Sequence, residues 1–96
     1  MIRSFKNRLA EDLFHGRVTT ATRRFPTDVR KSAQRKLQYL NAAVRLRDLA
    51  LLPGNRLEAL KGVLKGLHSI RINDQWRVVF RWSTEGAAEV QVTDYH

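Results

Sequence analysis

Three arginines and a cluster of ionisable groups at the chain end are the residues best suited to chemistry. Arg71, Arg77 and Arg81 lie in a segment of alternating polar and apolar residues, and the chain ends with Asp94-Tyr95-His96. Guanidinium groups bind phosphate oxygens through two-point contacts. Imidazole titrates near neutral pH and can move a proton. These residue types together can bind a phosphodiester and exchange protons with it.

Cleavage of RNA by its own 2′-hydroxyl is one reaction that needs this set. The hydroxyl must lose a proton, the phosphorane needs positive charge beside it, and the leaving 5′-oxygen must gain a proton. We expect Arg71 and Arg77 to clamp the phosphate, His96 to act as acid or base, and Asp94 to orient His96 or pair with an arginine. No metal or cofactor is expected, because the chain has no cysteine and its three histidines are scattered.

The net charge favours a nucleic-acid partner. Eighteen Lys and Arg residues oppose nine Asp and Glu, which gives a formal charge of +9. Such charge also serves solubility or docking on an acidic protein. A strand arginine is often only solvated, and a terminal Tyr-His pair is often frayed. The residues alone are therefore compatible with either an RNA-binding or an RNA-cleaving domain.

Length and composition indicate one globular domain over residues 1–96. Hydrophobic residues make up 43% of the 96 positions, which is typical of a packed core. No apolar run approaches the roughly 20 residues that span a bilayer. The opening residues also lack the apolar stretch of a secretory signal. We expect a cytoplasmic protein with no membrane contact.

The first half of the chain has the periodicity of two helices. Asn7 is a suitable cap for a first helix that stops at Gly16. Residues 17–26 are predicted to be a loop, and a second helix should run from Thr27 or Asp28 to about Leu49. Its buried stripe should comprise Val29, Ala33, Leu37, Leu40 and Val44. The positions off that stripe should form a basic outer surface of Arg30, Lys31, Arg35 and Lys36.

The second half alternates with period two and predicts three strands over residues 67–73, 76–82 and 88–95. Short connections make them antiparallel neighbours, and residues 2–5 should add a short N-terminal edge strand. The fold class is α+β, with two helices packed on one face of an antiparallel sheet. The face toward the helices should carry Ile70, Ile72, Trp76, Val78, Phe80, Trp82, Val90 and Val92. The opposite face should be open and bind phosphate through Arg71, Asn73, Arg77 and Arg81, with Tyr95 beside them.

Several segments also resemble a known family. They are the run from Leu67 to Phe80 (LHSIRINDQWRVVF), the terminal Asp94-Tyr95-His96, the opening MIRSF, and the RDL and PGNRLE segments of residues 47–49 and 53–58. Together they are similar to the HigB branch of the RelE/ParE toxin superfamily, over essentially the whole chain.

The resemblance implies a RelE-like microbial RNase fold and a toxin that cleaves translated mRNA in the ribosomal A site. It implies a helix-turn-helix antitoxin of the HigA type, with DNA contacted only through that antitoxin. The family positions that match are Arg77, Asp94, Tyr95 and His96 for catalysis. Basic family positions match Arg71 and Lys61, and Lys65 in the same loop is a further candidate for RNA contact.

One departure from the family concerns the general base. Some relatives carry a histidine just before the position of Lys61, where this chain has Glu58 and no histidine. Either Glu58 or His96 can then be the base. Two alternatives to an RNase remain: a toxin of the same superfamily that inhibits a protein such as DNA gyrase, and a non-catalytic RNA- or ribosome-binding module. The set of Arg71, Arg77, Tyr95 and His96 favours the RNase, because a gyrase inhibitor needs no such cluster.

Overall fold

The computed structural model describes residues 1–94. The helices are α1 (Arg8–His15), α2 (Thr20–Arg24), α3 (Thr27–Ala42) and α4 (Leu46–Ala50), and a 3₁₀ turn spans Gly62–Leu64. The strands are β1 (Glu58–Ala59), β2 (Leu67–Arg71), β3 (Trp76–Ser83) and β4 (Gly86–Asp94). They form one antiparallel sheet in the order β1-β2-β3-β4. The predicted α+β class is confirmed. Within residues 1–94, no helix is long and apolar enough to cross a membrane.

Helix α1 begins and ends where the sequence predicts. The Asn7 side-chain oxygen accepts the backbone N–H of Ala10 at 3.0 Å, which satisfies one of the free donors of the first turn. Gly16 ends the helix in the left-handed conformation with φ 69°. The Asn7 amide also donates to the Val92 carbonyl at 3.0 Å. The start of α1 is thereby fixed to β4.

The predicted loop over residues 17–26 is wrong, because it contains α2. Thr19 caps this helix by accepting the Thr22 N–H, while the Thr22 hydroxyl oxygen accepts the Thr19 N–H. The Thr19 hydroxyl also donates to the buried carboxylate of Asp12 at 2.8 Å. Threonines are poor helix formers but good caps, so the same residues that indicated a loop instead start a short helix.

The second predicted helix is also shorter than expected. Helix α3 ends at Ala42, and the Asp48 carboxylate then accepts the N–H groups of Val44 and Arg45 at 3.1 and 2.9 Å. These hydrogen bonds cap the start of α4. Val44, assigned to the buried stripe, is 81% exposed. That assignment is wrong because the helix breaks immediately before it.

The main core lies between the helices and one face of the sheet, as predicted. Helices α1 and α3 pack against β3 and β4. The sheet supplies buried Ile70, Ile72, Val78, Phe80, Val90 and Val92, with Trp76 and Trp82 partly buried at the margins. The N-terminal segment makes two isolated parallel bridges to β4, at Ile2 and Phe5. This segment therefore contacts the sheet edge without forming the continuous strand that was expected.

The opposite face of the sheet is only partly open. The segment that follows edge strand β1 and includes the 3₁₀ turn folds over it, and Leu60 and Leu64 pack on Leu67 and Val79. Ser69 is buried for the same reason. The expectation of an open face is wrong. A strand as short as β1, with two residues, has no periodic pattern, so the sequence did not predict β1 or the covering segment that follows it. The covering segment does not cover the end of the face that bears Arg71 and Arg77.

Lys36 does not lie on the outer surface of α3. Its exposed fraction is 5%, and its ammonium donates to the Asn55 side-chain oxygen at 2.5 Å. The loop that follows α4 packs against this side of the helix and covers the lysine. The prediction of an exposed Lys36 is wrong. Helical periodicity shows which side of α3 faces the sheet, but it does not show which other side a distant loop covers.

Candidate active site

Arg71 and Arg77 lie directly opposite each other at the end of the β2–β3 hairpin. Two like charges in this register repel, and each guanidinium has its own acceptors. Arg71 Nη2 forms an ion pair with the Asp74 carboxylate. Arg77 Nη1 donates to the carbonyl oxygens of Asn73 and, at 3.2 Å, Trp76. Two carbonyls orient the Arg77 guanidinium but carry no formal charge, so this end of the sheet presents a fixed cation.

The connection between β2 and β3 is shaped by Asn73. Its side-chain oxygen accepts the N–H groups of Gln75 at 2.9 Å and Trp76 at 2.7 Å. Such asparagine-to-backbone hydrogen bonds stabilise tight turns. Asn73 was expected to contact RNA; in this structure its oxygen is engaged in the turn. Its contribution here is to hold the hairpin that sets Arg71 against Arg77.

Asp74 lies among several cations. The hydrogen bond and charge of Arg71 hold the pKa of its carboxyl below the usual range, and the charges of Arg56 and Arg77 act in the same direction. Its side chain is 98% exposed. Arg71 thus contacts this surface carboxylate, while Arg56 and Arg77 act on it through their charges alone, and a phosphate that displaces Asp74 would experience the same three positive charges.

We predict that the carboxyl groups of Asp74 and Glu89 titrate below their ordinary pKa values of about 3.9 and 4.3. The Arg81 hydrogen bond and charge lower the pKa of Glu89 as Arg71 lowers that of Asp74. Because the folded pKa is depressed, each ion pair favours folding above the ordinary pKa and is lost as the pH falls through the lowered value.

NMR titration of the side-chain carboxyl carbons measures both midpoints. Arg71→Ala should raise the pKa of Asp74 and leave that of Glu89 unchanged, while Arg81→Ala should do the reverse. A midpoint for Asp74 at or above 3.9 in the native protein would contradict the ion pair.

The two acidic candidates, Glu58 and Asp94, lie on different strands near the arginine hairpin. Glu58 is exposed on β1 and pairs with Ser69. Ser69 lies two residues before Arg71 on β2, so the three side chains share one face of the sheet. Diagonal neighbours of this kind lie roughly 7–8 Å apart, within reach of long side chains. Asp94 pairs with Trp76 at the end of β4 and accepts the Gln75 side-chain amide at 3.0 Å. Glu58 therefore lies on the arginine face next to Arg71, whereas Asp94 has the helix-facing parity of its partner Trp76 and lies beside the hairpin turn.

The other basic candidates lie at the far end of the same face. Arg81 is four residues along β3 from Arg77, which is roughly 13 Å at the rise of a strand. It donates to Glu89 at 2.7 Å and lies against Gly66. Lys61 and Lys65 are exposed on either side of the 3₁₀ turn. The structure does not bring these three residues to the Arg71–Arg77 pair; they form a second basic group on the same side.

Two candidates, Tyr95 and His96, lie outside the described residues. The strand that leads to them places Thr93 opposite Arg77 and Asp94 opposite Trp76. Among residues 1–94, no group of three or more His, Cys, Asp or Glu side chains is arranged to hold a metal ion.

Arg56 is a further candidate for the site that the sequence did not indicate. It lies close enough for its charge to lower the pKa of Asp74, and it follows Asn55, whose carbonyl accepts the Arg71 N–H at 2.6 Å. Its backbone has φ 45°, a conformation that is costly for arginine and is often found at functional sites. The only local signal was the preceding Pro53-Gly54 turn, which does not indicate which way the next side chain points.

The chain is similar in sequence to a known toxin and in fold to a chain of a solved complex. The chain is 43% identical over 74 residues to Toxin HigB-1 of Vibrio cholerae, a match that covers 77% of each chain. Its fold is similar to that of a chain in the YoeB-YefM complex from Staphylococcus aureus, with a TM-score of 0.59 and 19% identity, over 100% of this chain and 98% of the other. The predicted RelE-like fold is confirmed.

A family model described as the RelE-like toxin HigB of type II toxin-antitoxin systems matches residues 3–96. That match includes both strands of the arginine hairpin and the segment over the opposite face. The chain therefore belongs to the HigB-like family of RelE-like toxins.

Proposed function

We propose that this protein is a ribosome-dependent endoribonuclease that cleaves translated mRNA in the A site. The observation that supports it most is the placement of Arg71 opposite Arg77 at the uncovered end of the sheet face. A gyrase inhibitor or a simple RNA-binding module has no need of two arginines in direct register on one face of a hairpin, with the acidic Glu58 on the neighbouring strand.

The proposed reaction is an in-line attack by the 2′-hydroxyl on the adjacent phosphate. The hydroxyl gives its proton to a base, Glu58 or His96, as the bond from O2′ to phosphorus forms. The bond from phosphorus to O5′ breaks, and the leaving oxygen takes a proton from an acid, for which His96 and Tyr95 are the candidates. The products are a 2′,3′-cyclic phosphate and a free 5′-hydroxyl.

Each arginine has a specific part in this scheme. Arg77, fixed by two carbonyls, stabilises the negative charge that develops on the phosphorane oxygens. Arg71 exchanges the Asp74 carboxylate for the scissile phosphate, and Asp94 orients the terminal residues. Arg81, Lys61 and Lys65 bind the strand further along the face. Their contribution is to affinity, and it weakens as salt rises.

The natural partners follow from the same proposal. A small helix-turn-helix antitoxin of the HigA type should neutralise the toxin, and DNA should be contacted only through that antitoxin. The protein should act in the cytoplasm, with residues 1–96 as one domain and the ribosome and mRNA as targets. The charge of +9 suits an acidic or nucleic-acid partner.

Primer extension on a translated mRNA after brief induction tests the proposal. New 5′ ends should arise within codons, and they should be absent when translation initiation is blocked or when the Arg77→Ala/His96→Ala variant is induced. Growth arrest without new ends would overturn the RNase assignment, and a supercoiling assay would then test the gyrase alternative.

A further inference from the structure

A buried lysine on α3 is connected to the candidate site through Asn55. Lys36 has an exposed fraction of 5%, and its ammonium donates to the Asn55 side-chain oxygen at 2.5 Å and lies 6.0 Å from the centre of the Tyr39 ring. Burying a cation costs free energy unless specific contacts offset it. An apolar side chain would fill this space in α3 without that cost. The ammonium is therefore expected to have a task that methylene groups cannot perform.

Asn55 connects the lysine to the arginine strand. It is fully buried, and its side-chain amide donates to the Leu49 carbonyl at 3.0 Å, which ties the loop to the end of α4. Its backbone carbonyl accepts the N–H of Arg71 at 2.6 Å. Three residues further on, the same segment becomes β1 at Glu58. One residue thus receives the Lys36 hydrogen bond and fixes the backbone of both Arg71 and the strand that carries Glu58.

We infer that Lys36 is a positioning residue for the arginine site: its ammonium holds Asn55, and Asn55 fixes the backbone of Arg71 and the approach to Glu58. The inference rests on the proposed RNase function and adds to it a residue 35 positions away in sequence from Arg71. Lys36 contacts neither phosphate nor reacting atoms; it acts only through Asn55.

The environment of Lys36 supports a specific role rather than space filling. Burial, followed by the charges of Arg35 and Arg71, lowers the pKa of its ammonium. Arg71 Nε is itself buried with no hydrogen-bond acceptor within residues 1–94. The Arg71 side chain is thus held mainly by Asp74 at its tip and by Asn55 at its backbone. Loss of the Asn55 anchor should move the guanidinium, and a displacement of about 1 Å can lower a rate about 10²-fold.

Lys36→Met tests the inference, because the methionine side chain matches the aliphatic part of lysine in length and lacks the ammonium. Lys31→Met is the matched control: the same charge is lost from an exposed position on the same helix. Amide hydrogen exchange is measured at Arg71, whose N–H binds Asn55, and at Ile72, whose N–H binds the Trp76 carbonyl instead. We expect exchange at Arg71 to accelerate at least about tenfold in Lys36→Met while Ile72 changes little. Neither amide should change in Lys31→Met.

The second readout is single-turnover cleavage of mRNA on ribosomes at saturating toxin. Lys36→Met should lower the cleavage rate by about 10- to 100-fold, with the dissociation constant for the ribosome within about threefold of the native value. A folded variant with native exchange at Arg71 would overturn the inference. Faster exchange with a native cleavage rate would also overturn it, since Lys36 would then be structural only.

A second variant guards against loss of folding. Lys36→Gln keeps a neutral N–H donor but is one bond shorter, so it cannot reach Asn55 from the same backbone position. The same changes at Arg71 and in the cleavage rate are expected. If the native protein cleaves nothing on ribosomes, the proposed function fails, while the exchange rate at Arg71 still decides whether Lys36 holds that strand.

Discussion

Replacing Arg77 with alanine is expected to lower the rate of mRNA cleavage on the ribosome by about 10²- to 10³-fold. The Arg77 guanidinium is fixed by the Asn73 and Trp76 carbonyls opposite Arg71, so it can bind developing charge without first rearranging. The loss should fall on the single-turnover rate at saturating toxin. Binding to the ribosome should change little, because one cation among eighteen contributes little to total affinity.

Three further variants sharpen this test. Arg77→Lys keeps the charge but not the planar fork, so it should recover only a small part of the rate. Arg81→Ala, in the second basic group, should weaken RNA affinity and reduce the salt dependence of that affinity. The single-turnover cleavage rate at saturating toxin should fall less than the affinity does. Arg47→Ala removes the same charge from an exposed position on α4 and should cleave like the native protein. Native cleavage by a folded Arg77→Ala protein would exclude Arg77 from the chemistry.

Phe80→Ala should produce the largest loss of stability, about 3–5 kcal/mol in the free energy of unfolding. The Phe80 side chain is fully buried on the helix-facing side of β3, and its ring packs near Trp82 and His68 at centroid distances of 6.4 and 6.1 Å. Truncation removes this apolar contact area and leaves a cavity in the core between the helices and the sheet. Domains of this size are stable by about 5–15 kcal/mol, so a large part of the total would be lost.

Urea denaturation followed by circular dichroism measures the change. Val63→Ala is the matched control, because Val63 is a fully exposed apolar residue on the 3₁₀ turn, and it should change stability by no more than about 0.5 kcal/mol. A loss of less than about 1 kcal/mol for Phe80→Ala would mean that the core between β3 and the helices is not packed as described.

The amino-acid sequence determines the elements whose signals lie in neighbouring residues. The alternation of apolar and polar residues predicted β2, β3 and β4 and which face each side chain occupies, because a strand exposes successive residues to opposite sides. Asn7 and Gly16 marked the ends of α1 for equally local reasons. Arg71 and Arg77 could be placed on one face from parity alone.

The same reasoning failed where the outcome depends on side-chain caps or on what a distant segment covers. The break after Ala42 depends on Asp48, six residues further along, and α2 depends on caps that also indicate turns. Helical periodicity put Val44 in the core and Lys36 in solvent, and the structure reverses both. Hydrophobic periodicity and helix propensity depend only on the residue's own helix or strand. They do not show which other segments pack against it.

Tertiary structure alone decided how the candidate site is assembled. The sequence supplies a hairpin that sets Arg71 against Arg77, but the register of β1, the closeness of Arg56 to Asp74, and the buried link from Lys36 through Asn55 to Arg71 all join residues far apart in the chain. Those contacts form only when the loop after α4 packs against both Lys36 of α3 and the backbone of Arg71 in β2. Their free energy comes from packing and desolvation across elements, and no local pattern encodes it.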